Sequence, residues 1–201
     1  PIIFHELESK KSELIFEDDK VSIRTIPLNH RVYTNGFLFT EKPKLRKLHI
    51  ENIQQYDEIE TCDFHNIKAG KDFTLSTGEI ISNEELTIDP PKPLSFAFCS
   101  DTAYKPDIVP IIKNVDLLYH EATFLKDRED LCDKTKHSTA EQAASIANQA
   151  NANKLIIGHY SSRYKNINDF KVEAQTVFKN TELAEAGKRY STNSFPVEIL
   201  N

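Results

Sequence analysis

From Leu94 onward the chain alternates short apolar runs with helical patterns, and this alternation limits its fold more than any other feature. Leu94-Ser95-Phe96-Ala97-Phe98-Cys99 has the character of a buried strand, Val115 to Tyr119 of a second, and Lys154-Leu155-Ile156-Ile157-Gly158 of a third. Among them, Ile108 to Asn114 suits a short helix, Ser138 to Ala150 an amphipathic helix with Ala140, Ala143, Ala144 and Ala147 on its apolar side, and Asn168 to Lys179 a last helix. Ser138 with Glu141 forms a capping-box pattern, which puts the helix start there. Strands alternating with helices predict an α/β class with strands at least partly parallel.

Upstream the pattern differs. Leu14-Ile15-Phe16 and Val21-Ser22-Ile23-Arg24-Thr25-Ile26, separated by the charged turn Glu17-Asp18-Asp19-Lys20, predict a hairpin. A third strand, Gly36-Phe37-Leu38-Phe39-Thr40, is stopped by Pro43. Between residues 41 and 93 charge, Asn and Pro accumulate, which predicts an inserted arm with a short helix near Leu48 to Tyr56. There is no internal repeat, so one domain with an arm is the expected organisation for 201 residues.

Apolar residues make up 39% and charged residues 28%, ordinary values for a soluble protein. No apolar run approaches the ~20 residues of a membrane helix, and no basic segment followed by an apolar stretch opens the chain, so export is not expected. Cys62, Cys99 and Cys132 are odd in number and widely spaced, which suits reduced thiols and a cytoplasmic location. Cys99, in an apolar strand, is expected to be a small buried hydrophobe. The net charge of −6 excludes a protein that coats nucleic acid nonspecifically. Any RNA contact must be local, and Lys42, Lys44, Arg46 and Lys47 form the one basic stretch that could supply it. An ordinary solvated charge run is the alternative reading. The chain opens on Pro1 and contains no Met, which we read as the mark of a fragment.

Five polar residues fall just past the C-terminal ends of expected strands or in the loops there: His30, Asp101, His120, His137 and His159. In layered α/β proteins the strand ends form the rim where sites assemble. Singly, each has a bland alternative as a hydrogen-bonded or turn residue. Together, imidazoles and a carboxylate are the donors that zinc and similar divalent ions prefer.

The strings that carry these residues resemble the ribonuclease Z family of the metallo-β-lactamase superfamily. They are Leu28-Asn29-His30-Arg31 through Gly36-Phe37, Ser100-Asp101-Thr102, His120-Glu121-Ala122-Thr123-Phe124, His137-Ser138-Thr139, and Ile157-Gly158-His159 with Ser161-Ser162-Arg163-Tyr164, in the family's order. The resemblance implies an αβ/βα sandwich, of which this chain supplies mainly the second half and an inserted arm. It implies a zinc-dependent endoribonuclease that removes the 3′ trailer of precursor tRNA as a homodimer. His30 would bind one zinc, Asp101 bridge two and His159 bind the second; His137 would be catalytic, with His120 and Glu121 supporting that region.

Two departures from the family accompany this. The HxHxDH motif, which supplies most zinc ligands, is absent, since no His-x-His occurs in the chain. The family's Gly-Pro-containing arm tip is also not found between Glu41 and Gly70, so the arm is expected to be shortened and recast. The alternatives are a hydrolase of the same fold acting on another phosphodiester, and a non-catalytic subunit without the first metal motif.

Overall fold

The computed structural model describes residues 2–192, which fall into two compact units, residues 2–41 with 94–192 and residues 42–93. The first unit is built on a seven-stranded mixed sheet whose strands lie side by side in chain order. They are β1 (Leu14–Glu17), β2 (Val21–Pro27), β3 (Asn35–Glu41), β4 (Ser95–Cys99), β5 (Leu117–Glu121), β6 (Lys154–Gly158) and β7 (Thr181–Leu183). β1 to β4 pair antiparallel, with Thr25 opposite Phe37 and Phe39 opposite Phe96. β4 to β7 pair parallel, with Ala97 beside Leu118 and Leu118 beside Leu155.

The parallel half requires crossovers, because a parallel pair cannot be closed by a tight turn. Helices α1 (Glu129–Thr135) and α2 (Ala140–Gln149) make the crossover from β5 to β6, and α3 (Asn168–Gln175) the one from β6 to β7. Ala140, Ala143, Ala144 and Ala147 of α2 are fully buried against Ala97, Leu118, Leu155 and Ile157 of the sheet. Small side chains there let helix and sheet approach closely, and Phe170 of α3 completes the layer. Cys99 is fully buried, and the three cysteines are free. On the other side of the pleat, alternate residues give a half-buried aromatic row, with Phe39 stacked on Phe96 at 5.9 Å and Phe98 on Tyr119 at 4.8 Å.

Several local expectations are displaced. α2 begins one residue later than the Ser138 pattern predicts: Thr139 caps it and Gln142 closes the box, while the Ser138 hydroxyl donates to the Thr102 carbonyl. The expected helix over 108–114 is a 3-10 turn at Pro106–Ile108 followed by further turns. Pro110 falls inside the expected helix, where it removes a donor and its ring crowds the preceding turn. α1 and β7 were not anticipated; both are short and gain their stability from packing rather than from periodicity.

The second unit has its own small core of Ile53, Ile59, Ile67, Ile81 and Leu86. Its helices, Ile50–Ile53, Phe64–Lys68 and Asn83–Leu86, and its two-stranded sheets are only a few residues long. The buried Asn83 side chain ties them together by donating to the carbonyls of Ile67 at 2.6 Å and Lys71 at 2.8 Å. No helix among the described residues is long and apolar enough to cross a membrane.

Gly36 shows how closely β3 and β4 are fitted. A Cβ there would lie 2.3 Å from the Phe98 carbonyl oxygen, a backbone atom that cannot move aside. Gly36→Ala is therefore expected to destabilise the first unit by about 1–3 kcal/mol, as overpacked sites do, and to lower the thermal midpoint by several degrees. An unchanged midpoint in a thermal melt would refute this close fit.

Candidate metal centre

Strand direction decides which loops meet. β2 and β4 are separated by two antiparallel steps and so run the same way, and β5 and β6 run parallel to β4. The C-terminal ends of β2, β4, β5 and β6 consequently share one edge of the sheet. Past those ends stand His30, Asp101 and His159, with Glu121 the last residue of β5. Two bonds stitch the loops: the Asn29 amide donates to the Thr102 hydroxyl at 3.0 Å, and the Ala103 amide to the Asn29 carbonyl at 2.8 Å.

At the centre lies the Glu121 carboxylate, which is fully buried. One oxygen accepts from the Thr102 amide at 3.0 Å, His137 Nδ1 at 2.8 Å and the Ser138 amide at 3.2 Å. The other accepts from the Thr123 amide at 3.0 Å and hydroxyl at 2.9 Å. Burial alone would raise its pKa, but the bonds from His137 and Thr102 outweigh that and hold it below the ordinary carboxyl range. The same bond raises the pKa of His137 against the opposing effect of burial.

These partners also fix the tautomers of three imidazoles. His30 Nδ1 lies 3.0 Å from the Lys136 carbonyl, which can only accept, so Nδ1 carries the proton. His137 Nδ1 faces a carboxylate and is a donor for the same reason. His159 Nδ1 lies 2.8 Å from the Thr123 hydroxyl, whose single proton is given to Glu121, so Nδ1 donates here too. In the neutral form each ring therefore keeps an unprotonated Nε2. His159 Nε2 lies 3.4 Å from Asp101 Oδ1, and the His137 ring sits 5.1 Å from that of His30 and 5.2 Å from that of His159.

One donor atom each from His30, Asp101 and His137 lies within 4.8 Å of the other two, and the same holds for Glu121, His137 and His159. The second group is a weaker metal site than its distances suggest, because five protein donors already occupy Glu121. Neutral imidazoles with their Nδ1–H groups tied, beside one partly exposed carboxylate, fit a divalent cation of the zinc type. His137 is thus close enough to act as a metal donor, as an alternative to the role expected for it, since one Nε2 cannot hold a metal and carry a proton at once. His120 stands apart: it is fully buried, its Nδ1 lies 2.7 Å from the Glu121 carbonyl, and burial lowers its pKa. Of the basic stretch in the second unit, Arg46 is committed to Asp89 and Thr87, while Lys44 and Lys47 are exposed.

Comparison with known proteins then decides the kinship. No family model matches the chain. Ribonuclease Z of Porphyromonas gingivalis (strain W83) is 44% identical over 185 residues, 92% of this chain and 60% of that protein. Ribonuclease Z of Parabacteroides distasonis is 42% identical over 94% of this chain and 62% of its own length. The chain is a relative of the ribonucleases Z. It spans about 60% of the length of the curated relatives it matches. Among solved structures, the metallo-beta-lactamase fold protein YhfI from Bacillus subtilis aligns with a TM-score of 0.57 at 17% identity, covering 88% of this chain and 51% of that one. Human tRNase Z, short form, aligns with a TM-score of 0.50 at 20% identity, covering 88% and 45%. The fold of this ribonuclease Z relative is the metallo-β-lactamase fold, of which the chain provides about half.

Two measurements probe the hydrogen-bonded frame. Glu121→Gln leaves buried donors without a charged acceptor and is expected to destabilise the chain by about 3 kcal/mol in urea unfolding. In the presence of a chelator, it should also move the His137 titration, followed by NMR, to lower pH; an unmoved titration would contradict the coupling. Thr123→Val removes the hydroxyl that orients His159, and zinc affinity, read by competition with a chromophoric chelator, is expected to fall about 10- to 100-fold. Affinity within twofold of the parent would show that Thr123 does not position the ligand.

Proposed function

We propose that this chain is the part of a zinc-dependent endoribonuclease that carries His30, Asp101 and His159 as ligands and removes the 3′ trailer of precursor tRNA. The observation that carries the reading is the convergence of these three side chains with His137 and Glu121 on one sheet edge, in a chain 39–44% identical to proteins named ribonuclease Z. Asp101 would be the ligand best suited to serve more than one cation, since its two oxygens can each accept a separate partner, which a single imidazole cannot do.

Bound zinc would supply a water of lowered pKa and neutralise charge building on the phosphate. The chain's residues do the rest. Lys136 and Thr123 hold the His30 and His159 rings in the tautomer that leaves Nε2 unprotonated. Glu121 holds His137 by Nδ1 and favours its protonated form, so the ring's other nitrogen can deliver a proton to the departing 3′ oxygen. His120 and Glu121 are positioning residues under this assignment. Lys42, Lys44 and Lys47 of the second unit would meet backbone phosphates of the tRNA. Arg46 serves less well because Asp89 neutralises it. We further propose that the whole protein acts in the cytoplasm as a homodimer.

The test uses the full-length protein. Asp101→Ala is expected to reduce cleavage of a 3′-extended tRNA at least 1,000-fold, roughly the loss of 4 kcal/mol of transition-state stabilisation. Activity within a few-fold of the parent would refute the bridging role. Cleavage of bis(p-nitrophenyl) phosphate without cleavage of the extended tRNA would overturn the substrate assignment.

A further inference from the structure

A trough opens from His30 on the first unit. One part, of about 580 Å³, is lined by His30, Arg31, Tyr33, Tyr104, Lys105 and their neighbours. An adjoining part, of about 320 Å³, shares Lys10, Pro27, Lys105 and Asp107 with it and adds Lys11. Lys10, Lys11, Arg31 and Lys105 face a single carboxylate, Asp107, in a chain whose net charge is −6. Such a contrast selects an anion.

Arg31 lines only the larger part, Lys11 only the adjoining one, and Lys10 and Lys105 line both, so the cations are distributed over two parts, which suits a chain of phosphates better than a single one. Two aromatic rings also line the larger part, those of Tyr33 and Tyr104. Tyr33 is 49% exposed, yet its hydroxyl donates to the Ser9 carbonyl at 2.8 Å and accepts from Asn35 Nδ2 at 2.9 Å. Tyr104 is 36% exposed, and its hydroxyl accepts from Gln149 Nε2 at 2.9 Å. Each ring is thus anchored at its tip with ring surface left open, the arrangement that stacks unpaired bases at little entropic cost. Bases inside a duplex are already stacked and could not use it.

We propose that this trough binds single-stranded RNA, with Tyr33 and Tyr104 as stacking platforms and Arg31, Lys10 and Lys11 as phosphate contacts. The proposal rests on the nuclease reading for its relevance, since the trough starts at His30, but not for its test. It makes the strand next to the cleaved bond an unpaired one.

Fluorescein-labelled hexa-adenylate is titrated with the 201-residue chain and followed by anisotropy, at about 50 mM salt with EDTA present so that no metal contributes. The single strand is expected to bind more tightly than an RNA duplex of equal length. Tyr33→Ala and Tyr104→Ala should each weaken it about tenfold, while the Tyr33→Phe, Tyr104→Phe double variant, which keeps both rings, stays within about threefold of the parent. Arg31→Ala should lower the slope of affinity against salt by about 0.7, and Lys113→Ala, the same charge removed elsewhere, should leave it unchanged. A variant that loses its cooperative melt is replaced by the corresponding leucine, which fills the space without a π face and carries the same expectation. Absence of hexa-adenylate binding, equal binding of duplex, or indifference to both tyrosines overturns the proposal. Hexa-adenylate binding through the tyrosines in a protein that fails to cut extended tRNA would sink the nuclease reading alone, and cutting without such binding would sink the trough alone.

Discussion

The carboxylate of Glu121 is the point on which the rest of the site depends. A fully buried carboxylate is tolerated only where donors replace the water it has lost. Here those donors come from the loop after β4, from the strand's own continuation at Thr123, and from the segment that links α1 to α2. Solvating one charge therefore obliges three separate stretches of chain to converge. Through Thr123 the same charge reaches His159, and through His137 it lies one residue from the Lys136 carbonyl that orients His30. Three imidazole tautomers follow, directly or at one remove, from how a single buried anion and its neighbours are satisfied.

Backbone conformation supports the same arrangement. Lys136 and His159 adopt left-handed φ angles of 60° and 65°, which cost a residue with a side chain roughly 1–3 kcal/mol. Asn114 and Asn151, the other described non-glycine residues with positive φ, are of the type that tolerates it. The two less tolerant cases are the two that aim imidazoles: Lys136 turns its carbonyl toward His30 as α1 ends, and His159 turns its own ring back from β6 toward Asp101. Gly158 precedes His159 for a steric reason, since a Cβ there would lie 2.6 Å from the Tyr119 hydroxyl.

Much of this was legible in the sequence, and what was not has a physical reason. The apolar runs at Leu94, Val115 and Lys154 are long enough to declare β4, β5 and β6, and polar residues past their ends mark the site edge. Strand direction explains why that rule also caught His30: β2 carries no helix crossover, yet two antiparallel reversals return it to the same sense as β4. The capping box missed by one residue because Ser138 and Thr139 are both competent caps, and Ser138 is drawn away by the Thr102 carbonyl, a contact between residues 36 apart. No pattern within one helix reports such a contact. The roles of Thr123 and Lys136 were equally hidden, one acting through a hydroxyl shared by two partners and the other through a main-chain carbonyl that any residue possesses. The small elements between residues 42 and 93 depend on isoleucine packing and one buried asparagine, which leave no periodicity to detect.

The charge of the donor set bears on what the site can attract. Glu121 is internally compensated, so the negative side chain left facing His30, His137 and His159 is Asp101. A divalent cation held by neutral imidazoles and one carboxylate would retain net positive charge, unlike one enclosed by several acidic groups. The adjoining trough has the same sign, with Lys10, Lys11, Arg31 and Lys105 against Asp107. An acidic protein that concentrates positive potential on one edge draws an anionic polymer to that edge and repels it elsewhere, which makes encounter depend on register rather than on overall charge. The net charge of −6 is therefore compatible with the proposed nucleic-acid substrate, whose phosphates would meet local cations in the trough and in the basic stretch of the second unit.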